Sequence, residues 1–169
     1  MKKLVSAIIF TIASHPFLAN DLPIVEYNSI NHPVIDDKGM VVSQRMIASE
    51  VGAQILKKGG NAVDAALASA ITLTVVEPCN NGLGSDAFAL IWDGSALHGL
   101  NASGRSPRLL DPARYSSAAQ MPSLGWHSVT VPGAVSAWST LSSRFGVLPF
   151  HQLFETAIHY AESGFPVGP

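Results

Sequence analysis

The sequence predicts an α+β fold in which several helices pack against a β-hairpin. Segments with helical apolar periodicity alternate with short apolar strands, and glycine or proline residues stand at the breaks between them. Hydrophobic residues make up 47% of the 169 residues and charged residues only 13%, which is typical of one globular domain with a core. Because the helices and hairpins do not follow a strict βαβ alternation, a layered α+β arrangement is favoured.

The amino-terminal residues have the pattern of a secretory signal. Lys2 and Lys3 precede a short apolar run over residues 4–13, which is too short to give a stable membrane span. We predict that residues 1–19 are a signal peptide, removed on export to the periplasm or out of the cell. The alternatives are a hydrophobic amino-terminal helix or an uncleaved membrane anchor. Residues 20–38, which show no sustained period, are predicted to be an extended leader.

The pattern becomes regular from residue 39 onward. The segment GMVVS, residues 39–43, predicts a strand, and Ser43 is placed to cap the helix that follows. Lys57 and Lys58 lie in the last turn of that helix, where cations interact favourably with its dipole. Glycines 59–60 are expected to end it in the left-handed conformation.

A second helix is predicted over residues 61–77. Asn61 can cap it, and Asp64 stands three residues later, where a carboxylate favours the helix amino end. The helix is apolar on nearly every side, so we expect it to be buried on every side. We therefore expect the chain expressed by itself to lack neighbours for this helix and to aggregate or be molten.

The remaining elements follow from strand and helix periodicities. Apolar segments joined by a glycine–serine turn predict a hairpin, and two amphipathic helices ending at glycine are predicted further along. The predicted elements are strands 87–93 and 96–103, a strand over HSVTV (127–131), a helix 134–145 with Val135, Trp138, Leu141 and Phe145 on one face, and a helix from about 149 to 164.

Composition and motif spacing disfavour several classes of function. The net charge of −2 without a basic run argues against a nucleic-acid partner. The single Cys79 excludes an internal disulfide and a multi-cysteine zinc site, and the six histidines have no paired metal spacing. The chain also lacks the GxSxG elbow of serine hydrolases.

The glycine-rich loop CNNGLGSDAF, residues 79–88, is not a nucleotide cradle. It lacks the lysine of a phosphate-binding loop, and it runs from a helix into a strand, the reverse of a dinucleotide-binding loop. We expect Gly82 and Gly84 to let the backbone turn tightly and to lead the next strand into the core.

Ordered motifs over residues 39–169 carry a resemblance to a known family. They are KKGGNAVDAALA, VVEP followed by CNNGLG, GLNASGRSP, VTVPGAVSAW, FGVLP and SGFPV. In this order the sequence resembles the gamma-glutamyltransferase family of N-terminal nucleophile hydrolases. The resemblance implies a four-layer αββα fold, of which this chain supplies the amino-terminal part of the large subunit.

The same resemblance implies a mechanism. Family members are precursors that cut themselves, and a threonine at the new amino terminus of the small subunit becomes the nucleophile, with its own α-amine as base. This chain contains no Thr-Thr-His or Thr-Ser-His stretch, so the catalytic threonine is expected outside it. By itself the chain should be inactive, with the small subunit as its partner. No metal or organic cofactor is implied.

Arg105, within GLNASGRSP, matches the family arginine that holds the α-carboxylate of the gamma-glutamyl group. A guanidinium can grip a carboxylate with two parallel hydrogen bonds. Asn101 and Asp86 are candidates to line the same site. Ser106 stands where the transpeptidase branch commonly has an acidic residue, and Ser85-Asp86 stand where that branch has glycines, so the chain resembles the acylase-like branch.

The substrate class therefore stays open at the level of sequence. Gamma-glutamyl amides such as glutathione are one possibility, and cephalosporin or glutaryl-type acyl amides are the other. A truncated, non-catalytic remnant is the alternative from another class.

Overall fold

The computed structural model describes residues 39–117 and 121–167. The predicted signal peptide (1–19) and leader (20–38) lie outside these residues. The helices and strands are α1 (Met46–Lys57), α2 (Ala62–Val76), β1 (Ala87–Trp92), β2 (Leu97–Ala102), α3 (Ala134–Phe145) and α4 (Glu155–Ser163). Short 3-10 turns lie at Pro112–Tyr115, Trp126–Ser128 and Phe150–Phe154. Within the described part of the chain no helix is long and apolar enough to cross a membrane.

Helix α2 forms the centre of the helical layer. It packs against α1, α3 and α4, and Leu67, Ala68 and Ile71 are buried in the core. The approach to α1 is close, since the buried Ser69 hydroxyl donates to the Ala48 carbonyl at 2.8 Å. A Cβ on Gly52 would collide with Ser69. Helix α2 is therefore largely buried against neighbours within this chain, but Ala62 and Ala66 are exposed, so it is not buried on every side as expected.

The boundary between α1 and α2 follows the local sequence signals. Gly59 has a φ of 93°, the left-handed conformation predicted at the end of α1. Asn61 then caps α2 by accepting from the backbone amides of Val63 and Asp64. The Asp64 carboxylate accepts from the Asn61 amide in return at 3.0 Å, which completes a capping box.

The hairpin forms a sheet layer beneath the helices. Strands β1 and β2 are antiparallel in a register that pairs Ala87 with Ala102 and Trp92 with Leu97. One face, which includes Ala89 and Ile91, packs against the core. The opposite face is apolar and open, with Leu90 77% exposed. The large open apolar surface thus lies on the hairpin rather than on α2, contrary to the expectation that α2 would lack neighbours.

The hairpin turn is held by an acidic side chain. The Asp93 carboxylate accepts from the backbone amides of Ser95 and Ala96, both at 2.8 Å, and its other oxygen lies 2.7 Å from His98 Nε2. The hydrogen bond from His98, followed by those from the two amides, holds the pKa of Asp93 well below its usual range.

The two strands predicted at residues 39–43 and 127–131 are wrong. Residues 39–43 have no regular secondary structure and pair with neither strand of the two-stranded sheet, and a strand without a ladder partner is not stable. At 127–131 a 3-10 turn over Trp126–Ser128 replaces the strand. It follows Gly125, whose φ of 81° favours a turn.

Two further details differ from the predicted pattern. Ser43 does not cap α1, because the N-cap is Arg45, two residues later, and the Ser43 hydroxyl donates to the Arg45 carbonyl. On α3, Trp138 and Leu141 are buried as predicted, but Val135 is 44% exposed. The buried side of α3 is completed by small residues, which an apolar-periodicity argument undervalues.

Candidate functional site

An open cleft of about 680 Å³ lies where the end of β2, the segment 131–133 and the start of α3 meet. Its polar lining comes from Asn101, Ser103, Arg105, Ser136 and Thr140. Among the described residues that line it, Arg105 is the only charged one. The cleft thus brings together two of the three predicted substrate-binding residues, Arg105 and Asn101.

The backbone of Arg105 is tightly positioned. Gly104 before it has a φ of 77°, and a Cβ there would collide with the carbonyl oxygen of Val131. The Val131 amide donates to the Arg105 carbonyl at 2.8 Å. The residue itself is exposed, and within residues 39–117 and 121–167 no ion pair engages its guanidinium. A fixed main chain with an unpaired guanidinium suits a site for an anionic ligand.

Asn101 lies at the end of β2 on the same cleft wall. Its side-chain oxygen accepts from the Ser103 amide at 2.9 Å, an Asx turn that orients the carboxamide. The carboxamide nitrogen has no hydrogen-bond partner in the described structure, which leaves it available to donate to a ligand oxygen.

Asp86 is not part of the cleft lining. Its carboxylate accepts instead from the Thr130 hydroxyl at 3.2 Å, and that hydroxyl also lies 3.0 Å from the Ser103 carbonyl. Direct contact between Asp86 and a substrate stays a prediction. In the structure Asp86 contacts Thr130, which directly precedes the cleft-lining segment 131–133.

The glycine loop turns as expected but for a different reason. The Ser85 amide donates to the Gly82 carbonyl at 3.1 Å, which closes the turn. Neither Gly82 nor Gly84 has a positive φ, and a Cβ on either would meet nothing closer than 3.5 Å. Within the described structure, glycine is therefore not required at these positions by backbone conformation.

Glu77 organises this loop, and the sequence analysis missed it. Its side chain is largely buried, accepts from the Asn81 carboxamide at 3.0 Å and lies 3.8 Å from Arg45 Nε. The available signal was an acid at a helix end with two asparagines three and four residues later. This pattern provides local side-chain partners for the acid.

The start of α3 forms the opposite wall of the cleft. Gly133 is its N-cap and carries no capping side chain, while the hydroxyls of Ser136 and Thr140 donate to carbonyls of their own helix. Gly133 lines the cleft, so the amino end of α3 lies beside Arg105, and the amides of Gly133 and Ala134 donate there to the Ser85 carbonyl. In the described residues no group of three or more potential metal-ligating side chains occurs.

Comparison with known proteins identifies the family. The model of the gamma-glutamyltranspeptidase family matches residues 48–169. The chain belongs to the gamma-glutamyltranspeptidase family. It is 41% identical over 141 residues to the glutathione hydrolase-like YwrD proenzyme of Bacillus subtilis, a match that covers 82% of this chain and 27% of that protein.

Solved structures of the family have the same fold. The cephalosporin acylase of Bacillus halodurans is 42% identical, with a TM-score of 0.67 over 86% of this chain and 29% of that one. The gamma-glutamyltranspeptidase of Helicobacter pylori is 28% identical, with a TM-score of 0.71 over 79% of this chain and 40% of that one. The described helices and hairpin are therefore an incomplete part of the α+β N-terminal nucleophile hydrolase fold. The chain spans only about a quarter of the length of the Bacillus subtilis relative.

Proposed function

We propose that this chain supplies the carboxylate-binding part of an enzyme that cleaves gamma-glutamyl or related acyl amides and passes the acyl group to water or an amine. The observation that carries the proposal is Arg105, the single charged side chain lining the cleft among the described residues, held by its backbone with its guanidinium unpaired. Asn101 lines the same cleft, and its carboxamide nitrogen, which has no partner among the described residues, adds a donor for an anion.

A carboxylate-bearing acyl group fits this cleft for a simple electrostatic reason. A guanidinium and an amide nitrogen are both donors, and a carboxylate is an acceptor at both oxygens. The two donors can thus hold the end of the acyl chain remote from the bond that is cleaved. Such remote binding orients the scissile carbonyl, which is one way enzymes lower the entropic cost of reaction.

A glutaryl-type side-chain acyl group is the second candidate. A glutaryl and a gamma-glutamyl group carry the same distal carboxylate and differ by the α-amine. The described cleft lining contains no acidic residue that would pair with this amine, and Ser106 and Asp86 depart from the transpeptidase pattern. The similarity to the Bacillus halodurans acylase supports the same candidate.

The remaining machinery is proposed from the family resemblance. The nucleophile would be the amino-terminal threonine of a small subunit made by self-cleavage of the same precursor. The name of the Bacillus subtilis relative includes "proenzyme", which supports processing. Export to the periplasm or outside the cell would use residues 1–19 as the signal peptide, a segment outside the described residues.

The test uses the complete gene product and three p-nitroanilides, gamma-glutamyl, glutaryl and butyryl. The butyryl compound lacks both the carboxylate and the α-amine. We expect kcat/KM for the two carboxylate donors to fall about tenfold or more in Arg105→Gln, because one charge-assisted contact is lost, with little change for the butyryl donor.

Arg105→Lys is the matched control, since it keeps the charge but loses the bidentate geometry, and an intermediate loss is expected. Equal losses for all three donors in Arg105→Gln would contradict the proposal. In the unmodified protein, the ratio of glutaryl to gamma-glutamyl turnover decides between the two candidates.

A further inference from the structure

We propose that Thr130 and Asp86 are positioning residues that fix Arg105 in the cleft, an inference that rests on the proposed function. The Thr130 hydroxyl lies 3.2 Å from the Asp86 carboxylate and 3.0 Å from the Ser103 carbonyl. The single hydroxyl proton is shared between these two acceptors, and the contact brings together the residue before β1, the end of β2 and the segment that leads into α3.

The hydroxyl is placed next to the backbone contact that holds Arg105. Thr130 directly precedes Val131, whose amide donates to the Arg105 carbonyl at 2.8 Å. Ser103 is two residues before Arg105, so the Thr130 hydroxyl and the Val131 amide both donate to carbonyls of the short stretch 103–105. Any shift of residue 130 is transmitted to the main chain of Arg105 through these two bonds.

Close packing makes this junction rigid. A Cβ on Gly104 would collide with the Val131 carbonyl, and a Cβ on Gly133 would collide with the Ala102 carbonyl. The segment 102–104 and the segment 131–133 therefore approach each other closely at two points. The Ser85 carbonyl adds a second anchor by accepting from the amides of Gly133 and Ala134 at 3.2 and 2.9 Å.

Asp86 thus acts on the cleft from behind. It is exposed and does not line the cleft, but its carboxylate orients the hydroxyl that holds the crossing. Asp86 and Thr130 therefore help to fix the main-chain position from which the Arg105 side chain extends.

The test compares Thr130→Val with Thr130→Ser in the complete gene product. Valine keeps the branched shape and removes both hydroxyl contacts, whereas serine keeps the hydroxyl. We expect KM for the glutaryl donor to rise about tenfold in Thr130→Val with kcat within about twofold, and to return to within about twofold of the unmodified protein in Thr130→Ser. Asp86→Ala removes one acceptor and leaves the hydroxyl free to donate to the Ser103 carbonyl, so it should raise KM less than Thr130→Val does, by about threefold or less.

Thr74→Val is the matched control. It removes one hydroxyl-to-carbonyl bond of 2.7 Å on α2, away from the cleft, and should leave KM unchanged. The butyryl donor should respond to none of the four variants, since it offers no carboxylate to Arg105. An equal rise in KM for the glutaryl and butyryl donors in Thr130→Val, or no rise for either, would overturn the positioning role.

A second readout is independent of turnover. Loss of the Thr130 hydroxyl should speed hydrogen exchange of the Val131 amide about tenfold in Thr130→Val but not in Thr130→Ser. Unchanged exchange would overturn the inference even if activity were lost. If Arg105→Gln affects only the carboxylate donors while Thr130→Val affects neither KM nor exchange, the proposed function stands and the positioning role fails.

Discussion

Asp64 is a buried carboxylate whose removal should strongly destabilise the helical layer. It is fully buried, and one carboxylate oxygen accepts from the backbone amides of Asn61, Val147 and Leu148 at 3.0, 3.1 and 3.3 Å. These bonds join the start of α2 to the segment that follows α3. Asp64→Ala would leave all three amides without this acceptor.

The magnitude follows from the number of bonds lost. At about 1 kcal/mol net per hydrogen bond, with somewhat more for a charged acceptor, the loss of three gives about 3–4 kcal/mol. Asp64→Asn should cost less, about 2 kcal/mol, because it keeps a neutral acceptor at the same place. Its new NH₂ group would occupy the position of the other oxygen, a buried atom without a hydrogen-bond partner, beside Gly146.

The assay is native-state hydrogen exchange of the Val147 amide in the complete gene product. A cost of about 3 kcal/mol corresponds to exchange faster by roughly a hundredfold. Asp111→Ala is the matched control, since Asp111 also caps a backbone amide, at 2.9 Å, but on an exposed 3-10 turn. It should cost about 0.5–1 kcal/mol and leave Val147 exchange unchanged. A less than threefold rise in Asp64→Ala would refute this account of the network.

Three other outcomes are expected. Gly104→Ala should lower the free energy of unfolding by at least about 2 kcal/mol, because φ is 77° and the new methyl would collide with the carbonyl of Val131. Gly84→Ala is the control, since its methyl meets no atom within 4 Å and the change should be near neutral. Equal urea midpoints for the two variants would contradict the close contact between Gly104 and Val131. Because the folded-state pKa of Asp93 is lowered, its stabilisation of the hairpin turn is complete above the unfolded-state pKa of about 4 and is lost as pH falls from there through the lower folded-state pKa. The protection of the turn amides against exchange, relative to their intrinsic rates, should fall over this range but not in Asp93→Asn, and unchanged protection would contradict this. The chain expressed by itself should aggregate through the open face of the hairpin, and a Leu90→Ser variant should be more soluble. If the parent chain elutes as a monomer in size-exclusion chromatography and melts in one cooperative transition, this expectation is contradicted.

Local signals predicted most of the elements correctly. The Asn61 cap, the glycine end of α1 and the hairpin turn each depend on residues within a few positions of one another, so the sequence is sufficient. The strand prediction for residues 39–43 was wrong because an apolar run gives no information on whether a partner strand exists. Glycine 125 before residues 127–131 was a turn signal that the apolar alternation outweighed.

The candidate site was predicted only in part. Arg105 came from a motif and lies in a cleft together with Asn101, as a shared site requires. The contact between Asp86 and Thr130 joins residues 44 positions apart, and no local pattern announces it. The sequence therefore indicated Asp86 as a site residue, but its contact with Thr130 could be recognised only from the tertiary structure.

The most direct test of the central claim is a crystal structure of the complete gene product with bound glutamate. The account predicts one carboxylate of the ligand within about 3 Å of the Arg105 guanidinium nitrogens, with the Asn101 carboxamide beside it. Glutamate bound elsewhere in the protein, with the Arg105 side chain turned away from it, would contradict the account.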